Sequence, residues 1–175
     1  MNNNLHSLLV RPTLCFVTNS NDLTERGLLS LIQDAVDGGV NMVQIREKDS
    51  FAQDLLPTAL AIKKIVKDKA LFIVNKHIDL ALACGADGIQ LGEDAASVVA
   101  VRRLTGVKVL IGRSVHSVES AQEAEWQGAD FLIVGTIFST PSKPDIIPKG
   151  LNLLEEVASA VKIPFFGIGG INKHN

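Results

Sequence analysis

The sequence predicts an α/β chain, a (β/α)8 TIM barrel that is C-terminally truncated, with about seven strands present. Short apolar runs alternate with longer amphipathic stretches along the 175 residues, the pattern of a parallel sheet faced by helices. The turn Gly-Ala-Asp recurs at 85–87 and 128–130, each time just before an apolar run, which suggests repeated βα units. No GxGxxG follows the first run, where the chain reads Thr18-Asn19-Ser20-Asn21. That weakens the competing open, doubly wound sheet.

The elements follow in order. Strands are predicted at Leu14–Thr18, Met42–Arg46, Leu71–Asn75, Gly88–Leu91, Val109–Gly112, Phe131–Gly135 and Pro164–Ile168. Each is a short β-branched or apolar run and reads as a buried parallel strand, apolar on both faces. Helices are predicted at Leu23–Asp37, Phe51–Lys67, Val118–Gln127 and Leu151–Val161. In the first, Leu28, Leu29, Ile32, Ala35 and Val36 make one apolar stripe. Asp37-Gly38-Gly39 and the two Gly-Ala-Asp turns supply a glycine at a helix end and a polar residue before the next strand. After Ile168 come Gly169-Gly170 and only five residues more. An eight-stranded barrel usually takes about 200–250 residues. The eighth βα unit is therefore expected beyond residue 175, and residues 1–175 read as one incomplete barrel domain with 1–12 as an N-terminal extension.

Hydrophobic residues make up 46% of the chain, enough for a sizeable core, and the formal charge is −2. Such a balance excludes a bulk attraction to nucleic acid or an anionic membrane, so any anion site must be local. No apolar run reaches the ~20 residues of a membrane span, and the N-terminus lacks the basic start of a signal peptide. Cys15 and Cys84 stand alone in apolar or small-residue surroundings, without a zinc-type spacing. Buried reduced thiols in a cytoplasmic protein are the expectation. A homo-oligomer is left open.

In a parallel barrel the active site lies at the C-terminal strand ends, so the residues at each exit are the candidates. Gln44, Arg46 and Lys48 alternate and share one side of an extended segment. Two cations there suit an anion and Gln44 a polar ring; the competing reading is a solvated charged loop. Asn75 and Lys76 follow the third strand, Glu93 and Asp94 the fourth, Ser114 and His116 the fifth. His116 is placed to act as a general acid or base near neutral pH, or to serve as a loop or capping residue. Thr140, Ser142 and Lys143 offer two hydroxyls and an ammonium to a phosphate or pyrophosphate, unless Pro141 and Pro144 mark only a surface turn. Gly169 and Gly170 let backbone approach a phosphate, or make a tight turn.

Together these segments resemble the thiamine-phosphate synthase and TenI family. The matching stretches are Val43–Asp49, Phe72–Asp94, Ile111–Ser117, Gly128–Asp145 and Ile163–Ile171, in the family's order. The resemblance implies a barrel, thiamine biosynthesis and small phosphate- or pyrophosphate-bearing substrates. It implies that Arg46, Lys48 and Lys143 hold pyrophosphate and that Gln44, Asn75 and Ser114 fix a pyrimidine. Thr140 and Ser142 would contact thiazole or pyrophosphate oxygens, and Gly169 and Gly170 would cradle a thiazole phosphate. The family's synthases use Mg²⁺ held by aspartates at two strand exits. Here Lys76 and Ala95 stand at those places, with Glu93 or Asp94 as the nearest substitutes. The segment around His116 resembles the TenI branch, thiazole tautomerases in which a His moves the proton. The implied activities are thus synthase first and tautomerase second, with a non-catalytic barrel that binds a thiamine precursor or a partner as the third reading.

Overall fold

The structure, a computed structural model, describes Leu9 and residues 13–19, 24–47, 50–142 and 144–175. Lys48 and Lys143 lie outside the described residues, as does most of the 1–12 extension. The chain divides into two compact units, Met1–Gln90 with Leu104–Leu110, and Leu91–Arg103 with Ile111–Asn175.

The first unit runs β1 (Cys15–Val17), α1 (Glu25–Asp37), β2 (Met42–Ile45), α2 (Ala52–Val66), β3 (Leu71–Asn75), α3 (Ile78–Ala83) and β4 (Gly88–Leu91, its last residue in the second unit). Each strand pairs in parallel with the one before it, in sequence order. All four positions of β2 and of β4 are buried, as expected for strands covered on both faces. Leu28, Ile32 and Val36 are the buried stripe of α1. Its N-terminus is capped by Thr24, whose hydroxyl accepts from the Gly27 amide at 3.2 Å.

The second unit holds α4 (Val98–Thr105, its last two residues in the first unit), β5 (Leu110–Val115), α5 (Val118–Trp126), β6 (Phe131–Gly135), α6 (Gly150–Ala160) and β7 (Phe165–Ile168). Here β5, β6 and β7 are parallel and sequential. Phe131 meets Phe166 edge-on at 5.8 Å between centroids. The Ser117 hydroxyl and Ser120 form a capping box that starts α5 directly behind His116.

Each unit is therefore an α/β layer of parallel strands in chain order, without the reversal that defines a doubly wound sheet. Three elements differ from the sequence expectation: β5, and the helices α3 and α4, neither of which was among the predicted helices. β5 runs on to Val115, because Arg113 and Ser114 still pair with Leu132 and Ile133 of β6; Ser114 thus belongs to the strand rather than the loop after it. The six residues of α3 carry too little apolar periodicity to read from sequence.

The recurring Asp before a strand has a structural function. The Asp87 carboxylate accepts from the Phe72 amide at 2.8 Å, at the head of the preceding strand, and from Lys63 of α2 at 2.7 Å. Two βα units later, Asp130 accepts from the Ile111 amide at 2.6 Å and from Arg102 of α4 at 2.5 Å. Asn41 holds the same place before β2, its side-chain oxygen accepting from the Leu14 amide at 2.9 Å. At all three turns a side-chain oxygen satisfies an amide at the start of the neighbouring strand, which would otherwise lack a ladder partner. The N-terminal strand ends are thus given to stability, which leaves the C-terminal ends for chemistry.

Candidate functional site

In the first unit the exits of β1, β2 and β3 are tied together. The Thr18 amide donates to the Gln44 carbonyl at 2.9 Å, and the Thr18 hydroxyl accepts from the Arg46 amide at 2.9 Å. That hydroxyl in turn donates to the Glu47 carboxylate. Thr18 and Glu47 are only 1% and 8% exposed, so the chain on either side of Arg46 is pinned. Gln44 is buried and Arg46 half-buried. The register Ile45↔Val74 brings Arg46 level with Asn75 at the next strand's end. Asn75 itself pairs with Gln90 of β4, and Lys76 follows, exposed, with φ +55°.

The second unit builds a separate cluster. His116 Nδ1 donates to the Gly135 carbonyl, and its Nε2 lies 3.5 Å from a Glu93 carboxylate oxygen. Both ring nitrogens therefore face oxygen acceptors, which fixes the ring's orientation. Arg113 donates to the Glu93 carbonyl at 2.7 Å and the Ala96 carbonyl at 3.1 Å, holding the segment after β4 by its backbone. Ser114 lines a cavity of about 180 Å³ with Glu93, Arg113, Ser120, Glu123 and Gln127. Thr140 is half-buried and Ser142 exposed, and the Ser142 amide points back to the Thr140 hydroxyl at 3.4 Å.

Gly169 and Gly170 have φ of +101° and +64°, conformations that side chains rarely adopt. They are also crowded. A Cβ on Gly169 would stand 2.5 Å from Thr136 Cγ2, and one on Gly170 would run into the Ser139 carbonyl. The Gly169 carbonyl accepts from the Phe138 amide at 2.9 Å. The pair is thus required for close backbone packing of the β7 exit on the β6 exit.

The two cysteines are free, Cys84 buried and Cys15 half-buried. Desolvation pushes the Cys15 thiol up to about 12 and raises that of Cys84 as well.

Among the described residues, the side chains at the expected ligand positions do not form a carboxylate-lined Mg²⁺ site. Lys76, at one of the expected ligand positions, carries the opposite charge. Ala95, at the other, has no donor side chain. Glu93 faces His116, and Glu93 and Asp94 are exposed. Among the described residues no three His, Cys, Asp or Glu side chains group in a way that could hold a metal ion.

Sequence reasoning thus located Gln44, Arg46 and Asn75 at neighbouring strand exits, and His116 beside the β6 exit. It missed the Thr18–Glu47 lock and the Arg113 brace. Glu47 was visible only as one charge within Gln44-Ile45-Arg46-Glu47-Lys48, and nothing local announces that a threonine 29 residues earlier will receive it.

The family model described as thiamine monophosphate synthase matches residues 14–175. A thiamine-phosphate synthase of Clostridium acetobutylicum is 43% identical over 163 residues, covering 93% of this chain and 77% of the relative. One from Methanosarcina barkeri is also 43% identical, over 97% of this chain and 77% of its own length. Among solved structures, a thiamine phosphate pyrophosphorylase from Pyrococcus furiosus superposes with a TM-score of 0.86 at 34% identity, covering 98% of this chain and 80% of that one. An N-acetylmannosamine-6-phosphate 2-epimerase from Clostridium perfringens, 20% identical with a TM-score of 0.71, shares the fold. With the family model spanning nearly the whole chain, and relatives of this identity covered over most of their length, the chain belongs to the thiamine monophosphate synthase family.

Proposed function

We propose that the chain is a thiamine-phosphate synthase-type transferase with a (β/α)8-barrel type of fold, working in the cytoplasm. It joins hydroxymethylpyrimidine pyrophosphate to a thiazole phosphate. The bond from the pyrimidine methylene carbon to pyrophosphate oxygen breaks, pyrophosphate leaves with the electron pair, and the thiazole nitrogen bonds to that carbon. No proton transfer is obligatory in this step, so catalysis rests on alignment and on neutralising the departing charge. The carrying observation is the 43% identity to synthases over nearly the whole chain.

Within that reading, and following the family resemblance, Gln44, Asn75 and Ser114 are assigned to the pyrimidine, and Arg46, Lys48 and Lys143 to pyrophosphate. Thr140 and Ser142 act on thiazole or pyrophosphate oxygens, and the backbone of Gly169 and Gly170 on the thiazole phosphate. No step is routed through Mg²⁺, because the described side chains at the expected ligand positions do not fit it. Arg46 rests on a backbone pinned by Thr18, the rigidity that charge stabilisation requires. Coupling by the parent protein, measured as pyrophosphate release, is the test. Arg46→Ala is expected to lower it about 10²–10³-fold, the loss typical of removing one preorganised donor. A parent that releases no pyrophosphate from the two substrates refutes the proposal.

One observation favours a second reading, a thiazole tautomerase. His116 is held between Gly135 and Glu93, the support a proton-transferring imidazole needs.

A further inference from the structure

We infer that Thr18 is a positioning residue for Arg46: its hydroxyl holds the Glu47 carboxylate away from the guanidinium, which is thereby left for an anion. The inference rests on the synthase reading for the identity of that anion, pyrophosphate. Its geometry lies entirely within the first unit.

Among the described residues three arginines are half-buried, Arg46, Arg102 and Arg113. Arg102 pairs with Asp130, and Arg113 donates to the carbonyls of Glu93, Ala95 and Ala96. The Arg46 guanidinium has neither an ion pair nor a hydrogen bond among the described residues. A part-desolvated cation without a partner is costly, and its planar fork of donors suits an arriving pyrophosphate oxygen pair.

A carboxylate stands next to it in the chain. Glu47 is only 8% exposed, and a buried carboxylate beside a guanidinium gains most by pairing with it. Here it accepts instead from the Thr18 hydroxyl, whose oxygen accepts from the Arg46 amide at 2.9 Å. Residues 46 and 47 lie past the end of β2 at Ile45, so strand pairing does not dictate where their side chains go. The hydroxyl dictates it. It fixes the Arg46 main chain from one lone pair and takes up Glu47 with its proton, which keeps successive side chains on opposite sides of the chain as in a strand. Without that hydroxyl the buried carboxylate would lose a donor, and the cation one residue away is its natural replacement.

Binding of inorganic pyrophosphate to the full chain, followed by calorimetry in EDTA and again with Mg²⁺, tests this. The parent is expected to bind, and Arg46→Ala to bind much more weakly. Thr18→Val keeps the side-chain shape and loses the hydroxyl. It should bind about 10-fold more weakly, the weight of one charge-assisted hydrogen bond diverted from the ligand to Glu47. Thr18→Ser should bind as the parent does. Adding Glu47→Gln to Thr18→Val should restore the affinity, because no carboxylate is left to compete. A Thr18 that serves stability alone would lower the melting temperature and leave the affinity of the folded protein unchanged. That result overturns the inference, and so does a loss of affinity that Glu47→Gln does not restore. If Thr18→Val does not fold, the double variant is compared with Glu47→Gln alone: equal affinities are expected, and a 10-fold difference overturns the inference. A parent that binds pyrophosphate under neither condition, or binds it as well after Arg46→Ala, overturns it too. If the affinities follow the expected pattern yet the parent couples no substrates, the synthase reading fails and this inference stands. If the parent couples while Thr18→Val binds as the parent does, only the inference fails.

Discussion

Single residues in this protein take their roles from what holds them more than from what they are. Arg113 looks like a further candidate cation beside Arg46, but its guanidinium is committed to the Glu93 and Ala96 carbonyls. The thiol of Cys15 illustrates the same dependence with a pH consequence. Desolvation pushes it up to about 12 from an ordinary value of 9.0. The folded state therefore keeps its proton where the unfolded chain releases it. The stabilisation is fully present below pH 9 and is lost as pH rises from there toward 12. Urea midpoints of the parent are expected to fall between pH 8 and pH 10.5 by more than those of Cys15→Ala. Equal slopes for the two proteins would remove Cys15 from the alkaline transition. Cys15 and Cys84 should also react slowly with a thiol reagent at pH 8 in the native state, since the thiolate is the nucleophile.

At the scale of elements, the strands were legible because buried parallel strands leave uninterrupted apolar runs. Leu71–Asn75, Gly88–Leu91 and Phe131–Gly135 begin and end where the run does. The end of β5 was not, since Arg113 and Ser114 look like loop residues until β6 is placed beside them. The Gly-Ala-Asp turns were visible as a repeat, but their hydrogen bonds cross to strand heads 15 and 19 residues earlier and have no local signature. They carry a stability prediction. Asp130→Ala leaves the Ile111 amide and Arg102 without their carboxylate. It should destabilise the protein by about 2–3 kcal/mol, the cost of stranding part-buried partners of a charged acceptor. Asp130→Asn keeps one acceptor oxygen and should cost about half of that. Chemical denaturation of the two variants checks the order; an alanine variant as stable as the asparagine one would mean that the strand-head amide finds another partner.

For the whole molecule, the family, the parallel α/β fold and the synthase as first choice of reaction were readable from five motifs in register, although this chain combines features of two branches. Thr140-Pro141-Ser142-Lys143 suits a departing pyrophosphate; His116, braced by Gly135 and Glu93, suits a proton transfer. The two reactions make opposite demands on these residues. Isomerisation moves a proton in its chemical step, and general acid–base catalysis is typically worth ~10²–10⁴-fold. If the chain is a tautomerase, His116→Ala should abolish nearly all isomerisation. Coupling has no obligatory proton to move, so the same variant should lower it only modestly, through the lost contact to Gly135. Lys143→Ala reverses the pattern. In the synthase reading Lys143 neutralises the leaving pyrophosphate, so its loss should cost coupling about 10²–10³-fold and leave isomerisation nearly intact. Both activities measured on both variants, with and without Mg²⁺, resolve the combination. The synthase reading expects coupling to fall with Lys143→Ala and to survive His116→Ala, the tautomerase reading expects isomerisation to die with His116→Ala, and a parent inactive in both assays points to a barrel that binds a thiamine precursor without transforming it.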